Sequence, residues 1–282
     1  MLSAKFYRDK KNESGVKRIF NLSRRIMRPF KFKMKVVDGN TEYLFAPANK
    51  TELYRYLTFF SKEEGTIEWL KNTLQPDDIF YDIGANVGLY SLYAAKQNKN
   101  IKTYAFEPHK INFVTLVQNI NLNGFGDVID PIAIPLGDSC QTFRLNYMSI
   151  DSGASMTQLG HKFLPGQKEF KPKLEELVYA VTLDELVEKN IIAAPTVIKI
   201  DVDGNELPIL KGMSRVLSSA NKPRSVQVEA NPGQKSMVTE FMKQHGYDLD
   251  HSHFTASKKP RLAMGVSEDE LAHNVVYVAK AA

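Results

Sequence analysis

The sequence predicts an α/β fold, a mostly parallel sheet with helices on both faces. Three observations predict it. Short apolar β runs alternate with segments of helical spacing from residue 76 to the end, and that alternation is the pattern of a parallel sheet with crossover helices. The stretch Asp78–Gly88 reads as a buried strand, a tight glycine turn and the start of a helix, which is how an open α/β sheet holds a nucleotide-like ligand. Finally, the predicted strands end in acidic residues, Asp82, Glu107, Asp201 with Asp203 and Glu206, and Glu229, which gathers them on one rim.

Residues 1–36 form a basic leader, with 12 Lys/Arg against 2 Asp/Glu. Because the whole chain carries a formal +5, the remainder is −5, so no specific nucleic-acid partner is expected for the body. Within the leader, Val16, Ile19, Phe20, Leu22, Ile26, Met27 and Phe30 fall on one side of a helix and the arginines on the other. Residues 16–30 therefore suit peripheral contact with an anionic membrane, or packing on the parent domain or a second copy in a homo-oligomer. Residues 37–75 read as an N-terminal cap: a short strand at 41–47, then helical spacing from Thr51 to Leu74 with a break near Gly65. Trp69, Ile67 and Leu70 are expected to cover part of the main sheet.

The sheet domain spans 76–282. Ile79, Phe80, Tyr81 and Ile83 form its first strand; Gly84 turns the backbone, and Gly88 lets the next helix approach. Ile101–Phe106 is the second strand, with Glu107 at its tip, 19 residues past Gly88. An acidic residue there accepts hydrogen bonds from ribose hydroxyls, the alternative being a solvent-exposed helix cap. A helix with Ile111, Val114, Leu116, Val117 and Ile120 inward follows, then a strand at 128–134 and another at 141–147. Asp138, between them, is a candidate contact for a purine amine or a plain turn residue. Residues 148–176 are polar and irregular and read as a variable insertion. Strands at 178–181, 196–200, 225–228, around 247–249 and 275–278 complete the series, with helices after Thr182, Glu206 and Val238.

Composition narrows the setting. With 43% hydrophobic and 24% charged residues, 282 residues make one large domain or a domain with an appendage. One cysteine, Cys140, excludes an intrachain disulfide framework and fits a reducing compartment. No apolar run of membrane-spanning length and no secretory signal is present, so a cytoplasmic location is expected, with residues 16–30 available to the inner face of a membrane.

The motifs Tyr81–Gly88, Ala105-Phe106-Glu107-Pro108, Lys199–Glu206 and Val228-Glu229, with Asn112 and Asn119–Asn123, together resemble the FkbM family of S-adenosylmethionine-dependent methyltransferases over residues 65–280. Asp203 departs mildly, since the family more often has Glu there. The resemblance implies a class I methyltransferase (Rossmann-like) fold of seven strands with the last one antiparallel. It implies S-adenosylmethionine as cofactor, with Asp82, Gly84, Ala85 and Asn86 at its methionine end and Glu107 on the ribose. It also implies O-methylation of a hydroxyl on a carbohydrate, glycolipid or secondary-metabolite acceptor. Methyl transfer to an alcohol needs alignment and a base. Asp201 is the first candidate for contact with the reacting centre and Glu206 the second, for base or acceptor orientation. Asp203, Glu229, His161 and His253 are weaker candidates. No metal is expected, although Asp201, Glu229 and Asn231 are oxygen ligands suited to Mg²⁺. An NAD-dependent oxidoreductase is disfavoured because Gly84–Gly88 lacks the middle glycine of the dinucleotide fingerprint. A non-catalytic cofactor-binding module docked by the leader is the other alternative.

Overall fold

The computed structural model describes residues 3–7, 33–97, 100–165, 168–256, 258, 262–267 and 270–280. The amphipathic stretch 16–30 lies outside them. Two strands, β1 (Ser3–Tyr7) and β2 (Lys33–Asp38), pair in parallel, and β3 (Thr41–Phe45) runs antiparallel to β2. Helices Lys50–Leu57 and Glu64–Thr73 complete the cap. Asn49 caps the first, its side chain accepting from Glu52 N at 2.9 Å. The break between the helices falls at residues 58–63, and Gly65 lies inside the second. Gly65 is needed for close approach instead, because a Cβ there would sit 2.3 Å from the His253 ring.

The main sheet contains β4 (Ile79–Ile83), β5 (Lys102–Phe106), β6 (Ile129–Ile132), β12 (Val197–Ile200), β13 (Ser225–Ala230), β14 (Tyr247–His253) and β15 (His273–Ala279). Their spatial order is β14-β15-β13-β12-β4-β5-β6, with β15 antiparallel to both its neighbours and the other pairings parallel. This is the class I methyltransferase arrangement expected. Alternation along each strand separates two cores. Phe80, Val197 and Val276 pack with the cap helices, Trp69 and Leu92. Tyr81, Ile83, Ile198, Ile200 and Val228 pack on the other face with Leu183, Leu210, Leu217 and Met242. Trp69 is pinned by its Nε1, which donates to Ser225 Oγ at 3.0 Å.

The insertion is more ordered than its composition suggests. Within or beside it lie β7 (Gln141–Tyr147), the two-residue strands β8 (Gln158–Leu159), β9 (Phe163–Leu164) and β10 (Lys168–Glu169), and β11 (Leu174–Ala180). Of these, β11, β7 and β8 form a separate antiparallel sheet, so the run at 178–181 is not a strand of the main sheet. Its alternating pattern records one packed face, with Val178 beside Leu145 and Tyr147. Among the described residues, no helix is long and apolar enough to cross a membrane.

Candidate active site

Register creates the first feature of the site. In the parallel ladder Asp82 is paired with Lys199, and Lys199 with Gln227, so one buried face of the sheet carries a polar row. Lys199 and Asp82 are fully buried. The Lys199 ammonium lies 3.4 Å from Asp82 Oδ1 and 3.6 Å from Asp201 Oδ2, and 4.9 Å from the centre of the Tyr90 ring. Burial works against its charge, but the carboxylates of Asp201, Asp82 and Glu63 outweigh that and hold its pKa above the usual lysine value. The other Asp82 oxygen accepts from Ser91 Oγ at 2.6 Å.

The second feature is the glycine turn. Gly84 has φ +80°, and a Cβ on it would lie 1.8 Å from the Asp201 carbonyl oxygen. Only glycine allows the β4 and β12 tips to meet this closely. Gly88 (φ +87°) similarly admits Leu116. Asn86, also left-handed at φ 52°, donates its N–H to Glu107 Oε2 at 2.7 Å and its side-chain amide to Ala154 O at 2.8 Å. Asn86 Oδ1 is buried and has no protein partner. The second Glu107 oxygen accepts from His109 N at 2.8 Å, and burial raises the Glu107 pKa to about 7 despite both amides.

A cavity of about 210 Å³ opens above this turn at the carboxyl ends of β4 and β12, where Gly84, Ala85 and Asn86 meet Asp201, Asp203 and Glu229. The cap contributes Arg55, Lys62 and Glu63, and Lys258 closes another side. A smaller apolar crevice, about 40 Å³, lies on the opposite flank of Gly84 between Pro108, Leu136 and Val202. A more voluminous groove, about 580 Å³, includes Arg224 and Ser225 at the amino end of β13 and is therefore remote from the rim.

Oxygens of Asp201, Asp203 and Glu229 approach within 4.8 Å of one another. Burial favours the neutral form of each, but Lys199, Lys62 and Arg55 outweigh it at Asp201, whose pKa is lowered. At Glu229, burial and the charges of Asp201 and Asp203 act together, and its pKa is raised well above the carboxylate range. The surroundings thus favour the charged form at Asp201 and the neutral form at Glu229. Asp203, left-handed at φ 59°, accepts from Met156 N at 2.8 Å.

Several residues named from sequence sit elsewhere. Asp82 does not line the cavity; it lies beneath the turn and positions Lys199. Glu107 lies behind the turn, bracing Asn86. Glu206 is fully buried at the start of helix Glu206–Lys211. Its Oε1 accepts from Val202 N (3.2 Å) and Gly204 N (3.0 Å), and its Oε2 accepts from Asn231 Nδ2 (3.1 Å). It therefore ties down the loop that carries Asp201 instead of facing the cavity. Asp138 is exposed, bonded to Ser139 Oγ at 2.8 Å, and lies beside Gly212 at the far end of that helix. His161 lines neither cavity, and His253 is turned to Thr66 Oγ1 at 3.2 Å. The residues that sequence reasoning missed are Lys199, Arg55, Lys62, Glu63 and Tyr90. Lys199 left one signal, a lone charge inside the apolar run Val197–Ile200.

The insertion closes the site from above. Asn49 donates to Ser152 O at 2.9 Å and Arg55 Nε to Gly153 O at 2.5 Å. Asn112 exchanges two bonds with this segment, accepting from Gly153 N at 2.8 Å and donating to Ala154 O at 2.9 Å.

Comparison with known proteins adds the following. The methyltransferase FkbM domain matches residues 82–249. The chain is 29% identical over 160 residues to the hexuronic acid methyltransferase AglP of Haloferax volcanii, a match covering 56% of this chain and 59% of that protein. It is 25% identical over 203 residues to the 31-O-demethyl-FK506 methyltransferase FkbM of Streptomyces tacrolimicus, covering 62% and 75%. Among solved structures, methyltransferase FkbM from Methylobacillus flagellatus superposes with a TM-score of 0.50 at 18% identity, covering 82% of this chain and 55% of that one. The chain thus spans little more than half the length of two of these relatives.

Proposed function

The chain belongs to the FkbM methyltransferase domain family, and from that premise we propose that it transfers a methyl group from S-adenosylmethionine to an oxygen of a carbohydrate or secondary-metabolite acceptor. The observation that carries this reading is the direct meeting of the Gly84 turn and Asp201 at one cavity. It sets a donor-binding element against an ionised carboxylate.

The residues present fit the donor. Asn86 Oδ1 is an unused buried acceptor on the cavity wall, suited to an ammonium. The start of helix Leu89–Gln97 suits a carboxylate. Glu107, which lines neither cavity, supports the donor turn from behind by accepting from Asn86 N and His109 N. The donor supplies an electrophilic methyl on a sulfonium. Asp201, kept ionised by Lys199, would accept the hydroxyl proton of an acceptor to which the donor would supply its methyl group. Glu206 holds the loop bearing Asp201, and much of the rate then comes from alignment. Two relatives bear names of different acceptors, a hexuronic acid and 31-O-demethyl-FK506, and the second name supports methylation at oxygen.

The test is calorimetry with S-adenosylmethionine and, separately, with NAD, followed by screening acceptor extracts with methyl-labelled donor. Tight NAD binding without S-adenosylmethionine binding refutes the reading.

A further inference from the structure

One segment of the insertion bonds to both walls of the site. Its first half is tied to the cap and to helix Lys110–Asn123: Ser152 O accepts from Asn49, Gly153 O accepts from Arg55, and Gly153 N and Ala154 O bond to Asn112. Its second half is tied to the loop that carries Asp201. Met156 N donates to Asp203 Oδ2 at 2.8 Å, Gln158 Nε2 donates to Asp203 O at 2.8 Å, and Gln158 Oε1 accepts from Asn205 Nδ2 at 3.0 Å. Gln158 is fully buried, and Met156 has a left-handed backbone at φ 66°, a conformation costly for a residue with a side chain. These bonds stand where the two hollows above the glycine turn adjoin. Ser155, Met156 and Asp203 line the larger cavity, Thr157, Leu159 and Asn205 line the apolar crevice, and Gly84 lines both. The cavity measures about 210 Å³ and the crevice about 40 Å³. Even together they fall short of the roughly 300–1,000 Å³ that enclosing a drug-sized ligand takes.

We propose that the segment Ser155–Gln158 is a latch across the donor site, and that S-adenosylmethionine binds only after this segment releases the Asp201 loop. This rests on the methyltransferase reading above and adds a control step to it. Gln158 makes two of the three bonds to the loop, so it holds the latch. Ala154, anchored by Asn86 and Asn112, marks where the moving part begins. The left-handed Met156 favours release, because its strain is relieved once the bonds to Asp203 part. Since only the open form binds, the apparent donor affinity is the intrinsic affinity scaled down by the open fraction. Release also frees the loop bearing Asp201, so donor entry and the placement of Asp201 depend on one set of bonds.

The experiment is calorimetric titration of the full chain with S-adenosylhomocysteine. Gln158→Ala removes both side-chain bonds, and two neutral hydrogen bonds at the low end of their range correspond to about fivefold in the opening equilibrium. The variant should therefore bind S-adenosylhomocysteine at least about fivefold more tightly than the wild type. A side chain that merely supports the fold would weaken binding when removed. Gln158→Glu keeps the size of the side chain but sets a carboxylate against Asp203 O, and it should tighten binding too. In the wild type, saturation with S-adenosylhomocysteine should speed hydrogen exchange at the Met156 amide, which loses its Asp203 acceptor. Unchanged or weaker binding by a folded variant overturns the latch, as does unchanged or slower exchange at Met156 in the saturated wild type. Failure of the wild type and both variants to bind S-adenosylhomocysteine at all overturns the methyltransferase reading, and the latch falls with it.

Discussion

Glu206 offers a sharp separation between positioning and chemistry. Its two oxygens accept from Val202 N, Gly204 N and Asn231 Nδ2, and the side chain is fully buried. Glu206→Ala leaves those three donors without partners in a space that water does not reach. Each buried unsatisfied donor costs about 1–3 kcal/mol, and neighbouring losses are not additive, so a total of roughly 3–5 kcal/mol is expected. Glu206→Gln keeps an acceptor oxygen for the two backbone amides, and an Asn231 amide flip restores the third bond, so its cost should stay below about 1 kcal/mol. Urea unfolding at pH 7.5 reads both. Turnover adds the decisive contrast: the Gln variant should stay within about threefold of wild type, whereas loss of a general base costs about 10²–10⁴-fold. A stable Gln variant with a hundredfold loss of turnover would refute the positioning role and return Glu206 to the chemistry. The same pair predicts a pH effect. Burial raises the Glu206 pKa from 4.5 to about 7. The folded protein then holds a proton that the unfolded chain releases, so this group's contribution to stability declines as pH rises from about 4.5 through about 7. The full span corresponds to about 3 kcal/mol at most. Glu206→Gln should remove that part of the slope, and an unchanged pH–stability profile would show that Glu206 is ionised throughout.

Other expectations follow from the same geometry. Gly84→Ala places a methyl 1.8 Å from the Asp201 carbonyl at φ +80°, so we expect a loss above about 3 kcal/mol or separation of the two loops; wild-type melting and donor affinity would contradict the contact. Lys199→Met leaves the Asp82 and Asp201 carboxylates without their buried cation and should cost about 3–5 kcal/mol in urea unfolding, with an unchanged midpoint as the contrary result. Although Asp201, Asp203 and Glu229 are close enough to share a cation, Lys199 already sits 3.6 Å from Asp201, and turnover is expected to survive exhaustive EDTA treatment. A loss restored by Mg²⁺ alone would make the cluster a metal site.

The strand-to-helix alternation, the glycine turn at 84–88 and the acidic strand tips were legible in the sequence alone, because each depends on local periodicity or on glycine's backbone freedom. The contrast at Gly65 is instructive: it looks like a helix break, yet its lack of a side chain answers His253, distant in the chain. Likewise 178–181 reads as a strand, but only the pairing of Leu174–Ala180 with 141–147 puts it in a separate sheet. Glu206 and Asp201 share a motif and look equivalent, and only the packed loop turns one inward onto backbone amides and leaves the other at the cavity. The Asp82–Lys199 row required strand register, and the cap cations required chain closure over more than a hundred residues. The sequence by itself determined where the glycine turn of the proposed donor site lies. Tertiary structure decided which charges surround it, since electrostatic partnership depends on distance in space and not on spacing along the chain.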